Sequence, residues 1–263
     1  MKLKKIIAGL MAFILIGAIL LFANALMGNP ISKTIVNRSA RNYVKENYSE
    51  LNLELDKAQF NFKDARYHVH ARSKTSIDTH FSMSFTGRGK LVYDDYEDRV
   101  LGKFNTWERV NTAYRDLVDT VLEHDFPYES EIDYGEILDK HKGLHEFEVD
   151  KEYDIKEMGR EKGNVVLYIT SDILDAETLT KALLEIKGLF DQRQVPFYSI
   201  NLVIRTPRSE NNIGRESIEV QGFLYRDIYE EGLQERVNEN IYKTKKYYEE
   251  MDREKEAEII NNI

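Results

Sequence analysis

Three histidines and an aspartate lie on two neighbouring predicted strands in the amino-terminal half of the chain. His68 and His70 share one face of the first strand, and Asp78 and His80 share one face of the next. A hairpin of suitable register would bring three imidazoles and a carboxylate together, a ligand set that suits Zn, Cu or Ni. The loop between the strands does not fix that register. The pattern therefore favours the solvated face of a half-covered sheet, with a metal site at these four residues as an alternative.

Other side chains of catalytic type do not assemble into a recognisable site. Ser76 shares a predicted strand face with Asp78 and His80, but same-face neighbours stand about 6 to 7 Å apart, too far for a nucleophile and its base. His141 and His145 have the spacing of one helical turn, although the glycine between them weakens such a turn. We therefore predict no catalytic residue, no metal ligand and no cofactor.

Composition excludes several further classes of function. The acidic run at residues 94–98 lacks the glycine of a calcium-binding EF-hand loop and is expected to be a solvated edge. Trp107 begins the apolar stripe of a predicted helix and is expected in the core. The chain has no cysteine, which excludes thiol catalysis and disulfides. Its formal net charge of −9 argues against nucleic acid as a partner.

The amino-terminal stretch predicts a membrane anchor. Residues 6–26 form a run of 21 residues without a charge, which as a helix matches a hydrocarbon core of about 30 Å. Three lysines precede this run and no basic residue follows it before Lys33, so the bulk of the chain is predicted to be extracytoplasmic. The alternative is a signal peptide cleaved after Ala25, at an Ala-x-Ala sequence. We expect a single-pass cell-membrane protein, and export without cysteine favours a Gram-positive cell envelope.

Two units follow this stretch in the predicted organisation. In the first, helical spacing from residue 29 to about residue 47 changes to two-residue alternation with a bulge near residues 56–57. A final helix is predicted to begin with a capping box formed by Asn105 and Glu108 and to end near residue 122. The strands are predicted at residues 51–62, 66–72, 77–85 and 90–93.

The second unit is predicted as a first strand followed by the order strand, helix, strand, strand and by a long final helix. That order resembles half of a ferredoxin-like fold. The strands are predicted at residues 147–154, 164–170, 196–206 and 216–227, with helices at residues 176–190 and from residue 229 to about residue 260.

The predicted fold class is therefore α+β. An amino-terminal transmembrane helix precedes two small antiparallel-sheet units with helices packed on them, the second ferredoxin-like in part. The predicted domains are residues 1–28, the lysines and the anchor; residues 29–125, a helix-sheet-helix domain; and residues 126–263, a second domain with a long carboxy-terminal helix.

Several sequence segments are together typical of one family. They are NPISK at residues 29–33, FNFKDARY at 60–67, SIDTHF at 76–81, NTWERVNTAYRDLV at 105–118, YDIKEMG at 153–159 and VPFYSINLVI at 195–204. On these segments the chain resembles the YfjL-like family of membrane-anchored proteins of Bacillus and its relatives, over nearly all of its length after Gly28. The resemblance implies a topology and a source but no activity, cofactor or site residue.

A noncatalytic module that binds a protein or peptide at the cell envelope is the function that these patterns favour. The reasoning is partly fold analogy, because small helix-on-sheet units often act in this way. A metal-binding envelope protein using His68, His70, Asp78 and His80, or an envelope enzyme, are the alternatives. The membrane is the one partner that the sequence itself indicates, through the amino-terminal helix.

Overall fold

The computed structural model describes residues 2–138, 146–208 and 215–261. The chain folds into two compact units. The first contains Met1–Thr106 and Gly143–Lys151, and the second contains Trp107–Lys142 and Glu152–Ile263. Both units combine helices with a β-sheet, which confirms the predicted α+β class.

Two helices open the first unit, α1 at Lys2–Met27 and α2 at Pro30–Asn47. The start of α2 is as predicted, because the Asn29 side chain accepts a hydrogen bond from the Ile31 N–H at 2.8 Å and proline occupies the first turn. Among the residues that the structure describes, no helix has both the length and the apolar character needed to cross a membrane.

The junction between these helices is closely packed against the first sheet. Gly28 has a positive φ of 71°, and a Cβ added there would lie 2.6 Å from the Cβ of Phe60. The next residue, Asn29, donates its backbone N–H to the Tyr67 hydroxyl at 2.7 Å. Glycine is therefore required at position 28 by both the backbone conformation and the space available.

The first sheet has five strands in an antiparallel arrangement. β3 lies beside β4, which lies beside β5, while both β1 and β2 pair with the other side of β3. The irregularity predicted near residues 56–57 is a break between two strands rather than a bulge in one, because β1 and β2 are separate. The strands are β1 Leu53–Leu55, β2 Gln59–Asn61, β3 Arg66–Ser73, β4 His80–Phe85 and β5 Leu91–Asp94.

Alternation along β3 and β4 builds the core of the first unit. Residues opposite one another across the pair include Val69 with Met83 and Ala71 with Phe81. Their side chains are buried, and α2 adds Val36 and Ala40 to the same cluster. Tyr67 and Phe85 are buried at the other end of this pair, whereas Ile77, which precedes β4, is exposed.

The second unit contains a four-stranded mixed sheet in the order β6-β7-β8-β9. β7 and β8 are parallel neighbours joined through α5, while the other two pairings are antiparallel. The elements are α3 Phe104–Asp125, β6 Ser130–Ile137, α4 Ile155–Lys162, β7 Gly163–Thr170, α5 Ala176–Arg193, β8 Ser199–Arg205, β9 Ser217–Leu224 and α6 Leu233–Asn261.

Helix α3 packs on the second sheet. Because of this packing, nearly all of α3 belongs to the second unit. A Cβ on Gly135 of β6 would lie 2.5 Å from the Val118 Cγ2 of α3, and a Cβ on Gly159 would lie 2.6 Å from the Tyr114 ring. The division falls between Thr106 and Trp107, because the buried stripe of α3 faces the second sheet.

Two predicted features of the second unit are corrected. Residues 147–154 form no strand and are irregular apart from a turn at residues 149–150, and Asp154 caps α4 by accepting from the N–H groups of Lys156 and Glu157. The strand that was missed is β6, which exposes most of its polar first half. The unit is also not ferredoxin-like, because β7 and β8 are adjacent and no strand lies between them.

Two local predictions in the first unit are also wrong. Residues 77–79 do not belong to β4, which begins at His80. Asn105 does not cap α3, because the helix begins at Phe104. Instead the buried Asn105 side chain donates from Nδ2 to the carbonyl oxygens of Asp78 at 2.9 Å and His80 at 2.7 Å.

Candidate functional site

An open groove in the first unit lies between α2 and the edge of the sheet at β1. Its volume is about 690 Å³, which is within the range of about 300 to 1,000 Å³ found for small-molecule binding pockets. The lining residues come from one face of α2, from the segment that follows it, from β1 and from β3. They are Asn37, Arg41, Val44, Lys45, Tyr48, Ser49, Asn52, Leu53, Leu55, Asp56, Lys57 and Val69.

Apolar side chains line the interior of this groove. Leu53 and Leu55 of β1 and Val44 of α2 are each half-buried, and Val69 of β3 is buried. Leu53 and Leu55 are two residues apart, so they point to the same side of the sheet. Apolar atoms that remain partly exposed in a concave site favour an apolar group of a ligand.

Three cations surround this apolar interior. Arg41 and Lys45 lie one helical turn apart on α2, and Lys57 follows β1 on the opposite wall. None of the three forms a salt bridge within the described part of the chain. The one carboxylate that lines the groove, Asp56, pairs with Arg72 at 2.7 Å.

In β1, the backbone N–H and C=O groups of Leu53 and Leu55 point toward the free edge of the sheet. Asp56 donates its N–H to the His70 carbonyl at 2.9 Å, and Lys74 donates to the Asn52 carbonyl at 3.2 Å. Because bonding alternates along an antiparallel pair, even-numbered residues of this segment bond to β3 and the N–H and C=O groups of Leu53 and Leu55 point away from it. β1 has no strand on its other side in the described sheet.

A hydrogen bond joins α2 to the segment that follows β1, at the end of the groove lined by Lys57. The Asn37 side-chain oxygen accepts from the Ala58 N–H at 2.8 Å. Ala58 is buried and lies between β1 and β2. This contact positions the segment that carries Lys57 beside the helix.

A tyrosine cluster forms the wall behind Tyr48. Tyr43 donates from its hydroxyl to the Asp94 Oδ2 at 2.5 Å, and Tyr48 approaches both oxygens of the same carboxylate at 3.3 Å. The ring of Tyr48 also contacts Phe81 and Tyr96, with centroids 5.0 and 4.7 Å apart. Burial, together with the hydrogen bond to Asp94, raises the pKa of the Tyr43 hydroxyl well above its usual range. The cluster links α2 to the end of β5.

The predicted histidine constellation is only partly brought together. His70 and His80 are neighbours, with ring centroids 5.7 Å apart. The Nε2 of His68, however, lies 2.9 Å from the Asp64 Oδ2, and that ring pairs along its own segment. Within the described residues, no group of three or more His, Cys, Asp or Glu side chains is arranged to hold a metal.

Asp78 has a structural position away from the histidines. It is buried, and its Oδ2 accepts from the Asp150 N–H at 2.8 Å. The Asp150 Oδ1 in return accepts from the Asp78 N–H at 3.0 Å and from the Ser76 hydroxyl at 2.8 Å. Because Asp78 precedes β4, it does not share a strand face with His80, and the predicted four-residue set is not assembled.

The remaining predicted residues occupy separate positions. His141 and His145 lie outside the described residues. Residues 97–98 of the acidic run are exposed, whereas Asp94 and Asp95 are half-buried, and Asp95 accepts from the Ser82 N–H at 2.6 Å. Trp107 is half-buried in the second unit and donates from Nε1 to the Ile137 carbonyl at 3.0 Å.

Sequence reasoning missed the groove. Residues 37, 41 and 45 recur at helical spacing, which indicates that they share a face of α2. The sequence does not show that β1 ends after three residues, nor that β1 lies beside the face of α2 that carries these residues.

Comparison with known proteins places the chain in a family. A model of the YfjL-like N-terminal domain matches residues 3–95, and a model of the YfjL-like C-terminal domain matches residues 113–238. The chain belongs to the YfjL-like family. The gap between the two matched regions contains the division between the structural units of this YfjL-like chain. No significant match was found among curated proteins or solved structures.

Proposed function

We propose that this YfjL-like protein is a noncatalytic module of the cell envelope that binds a protein or peptide in the groove between α2 and β1. The observation that carries this proposal is the groove itself, which combines an apolar interior, unpaired cations and an open strand edge. Open strand edges and apolar grooves are two of the recurring means by which domains bind peptides.

The composition of the groove favours binding over catalysis. General acid–base chemistry uses a histidine or a pair of carboxylates within hydrogen-bond reach of the substrate. Among the groove's described lining residues there is no histidine, and the single carboxylate, Asp56, is engaged by Arg72. The histidine face is therefore a separate polar surface, and no observation favours it as a second function.

Membrane attachment through the amino-terminal helix is part of the same proposal. It rests on the sequence, through the uncharged run at residues 6–26, and not on a membrane-spanning helix within the described residues. Phe13 in this run is 77% exposed, and exposed apolar surface of this extent favours a lipid environment. The basic amino end would then be cytoplasmic and the groove extracytoplasmic. The envelope would be that of a Bacillus-like, Gram-positive bacterium.

Fractionation of cells that express the full chain tests the attachment. We expect the intact amino end in the membrane fraction after alkaline extraction, and degradation of the bulk of the chain by protease added outside. Replacing Leu15 and Ile16 with arginine should release the chain, whereas arginine at the exposed Ile173 should not. A mature protein that begins after Ala25, or an unchanged distribution of the double variant, would contradict attachment.

Site-specific photo-crosslinking in intact envelopes tests the binding function. A photoreactive side chain at Leu55, in the groove, should give a discrete adduct. The matched control is Val92 on β5, which is exposed at the opposite edge of the same sheet. Absence of an adduct at position 55, or equal labelling at both positions, would argue against the groove as the binding site.

A further inference from the structure

We infer that the occupant of the groove is an extended acidic segment of polypeptide, which pairs with β1 as an additional strand. The inference rests on the proposed function and adds to it the charge and the backbone conformation of the ligand. Three independent features of the groove support it: the direction of the β1 backbone, the charge of the walls and the spacing of the apolar side chains.

The backbone of β1 supplies the hydrogen-bonding partner. Leu53 and Leu55 direct their N–H and C=O groups toward the free edge, because Asp56 and Asn52 bond to β3. An extended segment laid along this edge satisfies those groups, whereas a helical segment uses its own backbone groups internally. The edge therefore selects an extended ligand.

The charge of the walls selects an acidic ligand. Arg41 and Lys45 on α2 and Lys57 after β1 lie on both sides of the groove, and Asp56 is neutralised by Arg72. The chain as a whole has a net charge of −9, so this concentration of unpaired cations is opposite in sign to the rest of the molecule. Complementary charge directs both orientation and partner choice at an interface.

The side chains of the groove define the pattern of the ligand. In an added strand, alternate side chains point into the groove and away from it. Those pointing inward meet Val44, Leu53 and Leu55, with Arg41 and Lys45 on the facing helix. We therefore expect apolar side chains at the centre of the bound segment and carboxylates beside them.

The test measures binding of three synthetic probe peptides to the full chain in zwitterionic nanodiscs by fluorescence anisotropy. The acidic probe alternates valine and glutamate, the basic probe has lysine in place of each glutamate, and the neutral probe has glutamine. We expect the acidic probe to bind best and its affinity to fall with added salt. Two further acidic probes are N-methylated at every second amide, one at the valines and the other at the glutamates. One of them should lose binding and the other should retain it, because only one of the two sets of amides faces β1.

Charge reversal in the groove provides the matched variants. Arg41→Glu should weaken binding of the acidic probe by about three- to tenfold. Arg38→Glu is the control, since Arg38 is an exposed residue of the same helix that does not line the groove. The double variant Arg41→Glu, Lys45→Glu should gain affinity for the basic probe, a result that a misfolded variant would not give.

Two results would overturn the inference in distinguishable ways. Equal binding of acidic, basic and neutral probes, or binding unaffected by either pattern of N-methylation, would show a groove that binds peptides without this charge or strand preference. In that case the proposed function stands and the inference fails. Binding of no probe, together with no crosslink at position 55, would overturn both.

Discussion

Asn105 connects the start of α3 to the segment that leads into β4. Its buried Nδ2 donates two hydrogen bonds, to the carbonyl oxygens of Asp78 and His80. Removing one partner of a buried hydrogen bond leaves the other unsatisfied, and each unsatisfied group costs about 1–3 kcal/mol. The side chain therefore stabilises the unit by holding the segment that leads into β4 beside the start of α3.

Substitution of Asn105 by alanine should lower the free energy of unfolding by about 1–3 kcal/mol. The measurement is urea unfolding of the purified full chain, followed by circular dichroism. Asn42→Ala is the matched control on the exposed face of α2 and should change the free energy of unfolding by less than about 0.5 kcal/mol. Equal effects at the two positions would show that the two hydrogen bonds contribute nothing measurable.

Tyr43 predicts a dependence of stability on alkaline pH. Burial and the Asp94 hydrogen bond raise the pKa of its hydroxyl in the folded chain, whereas an unfolded tyrosine titrates near about pH 10. Above that pH the unfolded chain releases a proton that the folded chain retains, so stability is complete below about pH 10 and falls as the pH rises. Tyr43→Phe should make this fall less steep.

The pH dependence can be measured by urea unfolding from about pH 8 to about pH 11. Tyr242→Phe is the control, because Tyr242 is 68% exposed and its hydroxyl is solvated in both states. That variant should keep the slope of the wild type. If the pH dependence of stability were the same for Tyr43→Phe, Tyr242→Phe and the wild type, the assigned contact between Tyr43 and Asp94 would be contradicted.

At the scale of elements, close approach of α3 to β6 depends on glycine. A Cβ at position 135 would lie 2.5 Å from the Val118 Cγ2 and 3.1 Å from the Tyr114 ring. Both of those side chains are fully buried, so they have little room to move. The separation of helix and strand in the second unit is therefore determined by the absence of a side chain at Gly135.

Two Gly→Ala substitutions should change stability in opposite directions. Gly135→Ala should destabilise the second unit by about 1–3 kcal/mol through overpacking. Gly188→Ala in α5 meets nothing within 4 Å and should stabilise it by about 0.5–1 kcal/mol, because alanine is the better helix former. Urea unfolding of both variants checks the signs. Stabilisation by Gly135→Ala would mean that α3 and β6 are less closely packed than described.

At the scale of the whole molecule, the two units have separate cores. Phe81 lies in the buried cluster of the first unit, and Leu183 is a buried residue of α5 in the second. The single tryptophan, Trp107, belongs to the second unit. Its fluorescence therefore reports on one unit and not on the other.

Destabilising each core separately should affect this fluorescence differently. Leu183→Ala should lower the stability reported by Trp107 by about 2–5 kcal/mol. Phe81→Ala should lower the stability of the first unit, seen by circular dichroism, and leave the tryptophan transition within about 0.5 kcal/mol of wild type. A joint shift of both signals by both variants would show that the chain unfolds as one cooperative unit.

Elements with strong local signals can be predicted from the amino-acid sequence. The Asn29 cap and the following proline specify the start of α2, and the alternation of β3 and β4 specifies which side chains are buried. The apolar stripe of α5 is equally clear in the sequence, and its members Leu179, Leu183 and Ile186 are buried. These features depend on residues close together in the chain, so local spacing is sufficient to predict them.

Contacts between elements that are distant in the sequence are known only from the tertiary structure. The polar first half of β6 is exposed at a sheet edge and gives no clear strand signal, and the apolar stripe of α3 does not reveal which sheet it covers. Asp78 is held by Asp150, far along the chain, rather than by the histidine face. The candidate groove likewise exists because β1 ends beside α2. Contacts between residues distant in sequence depend on register and packing, which local patterns do not encode.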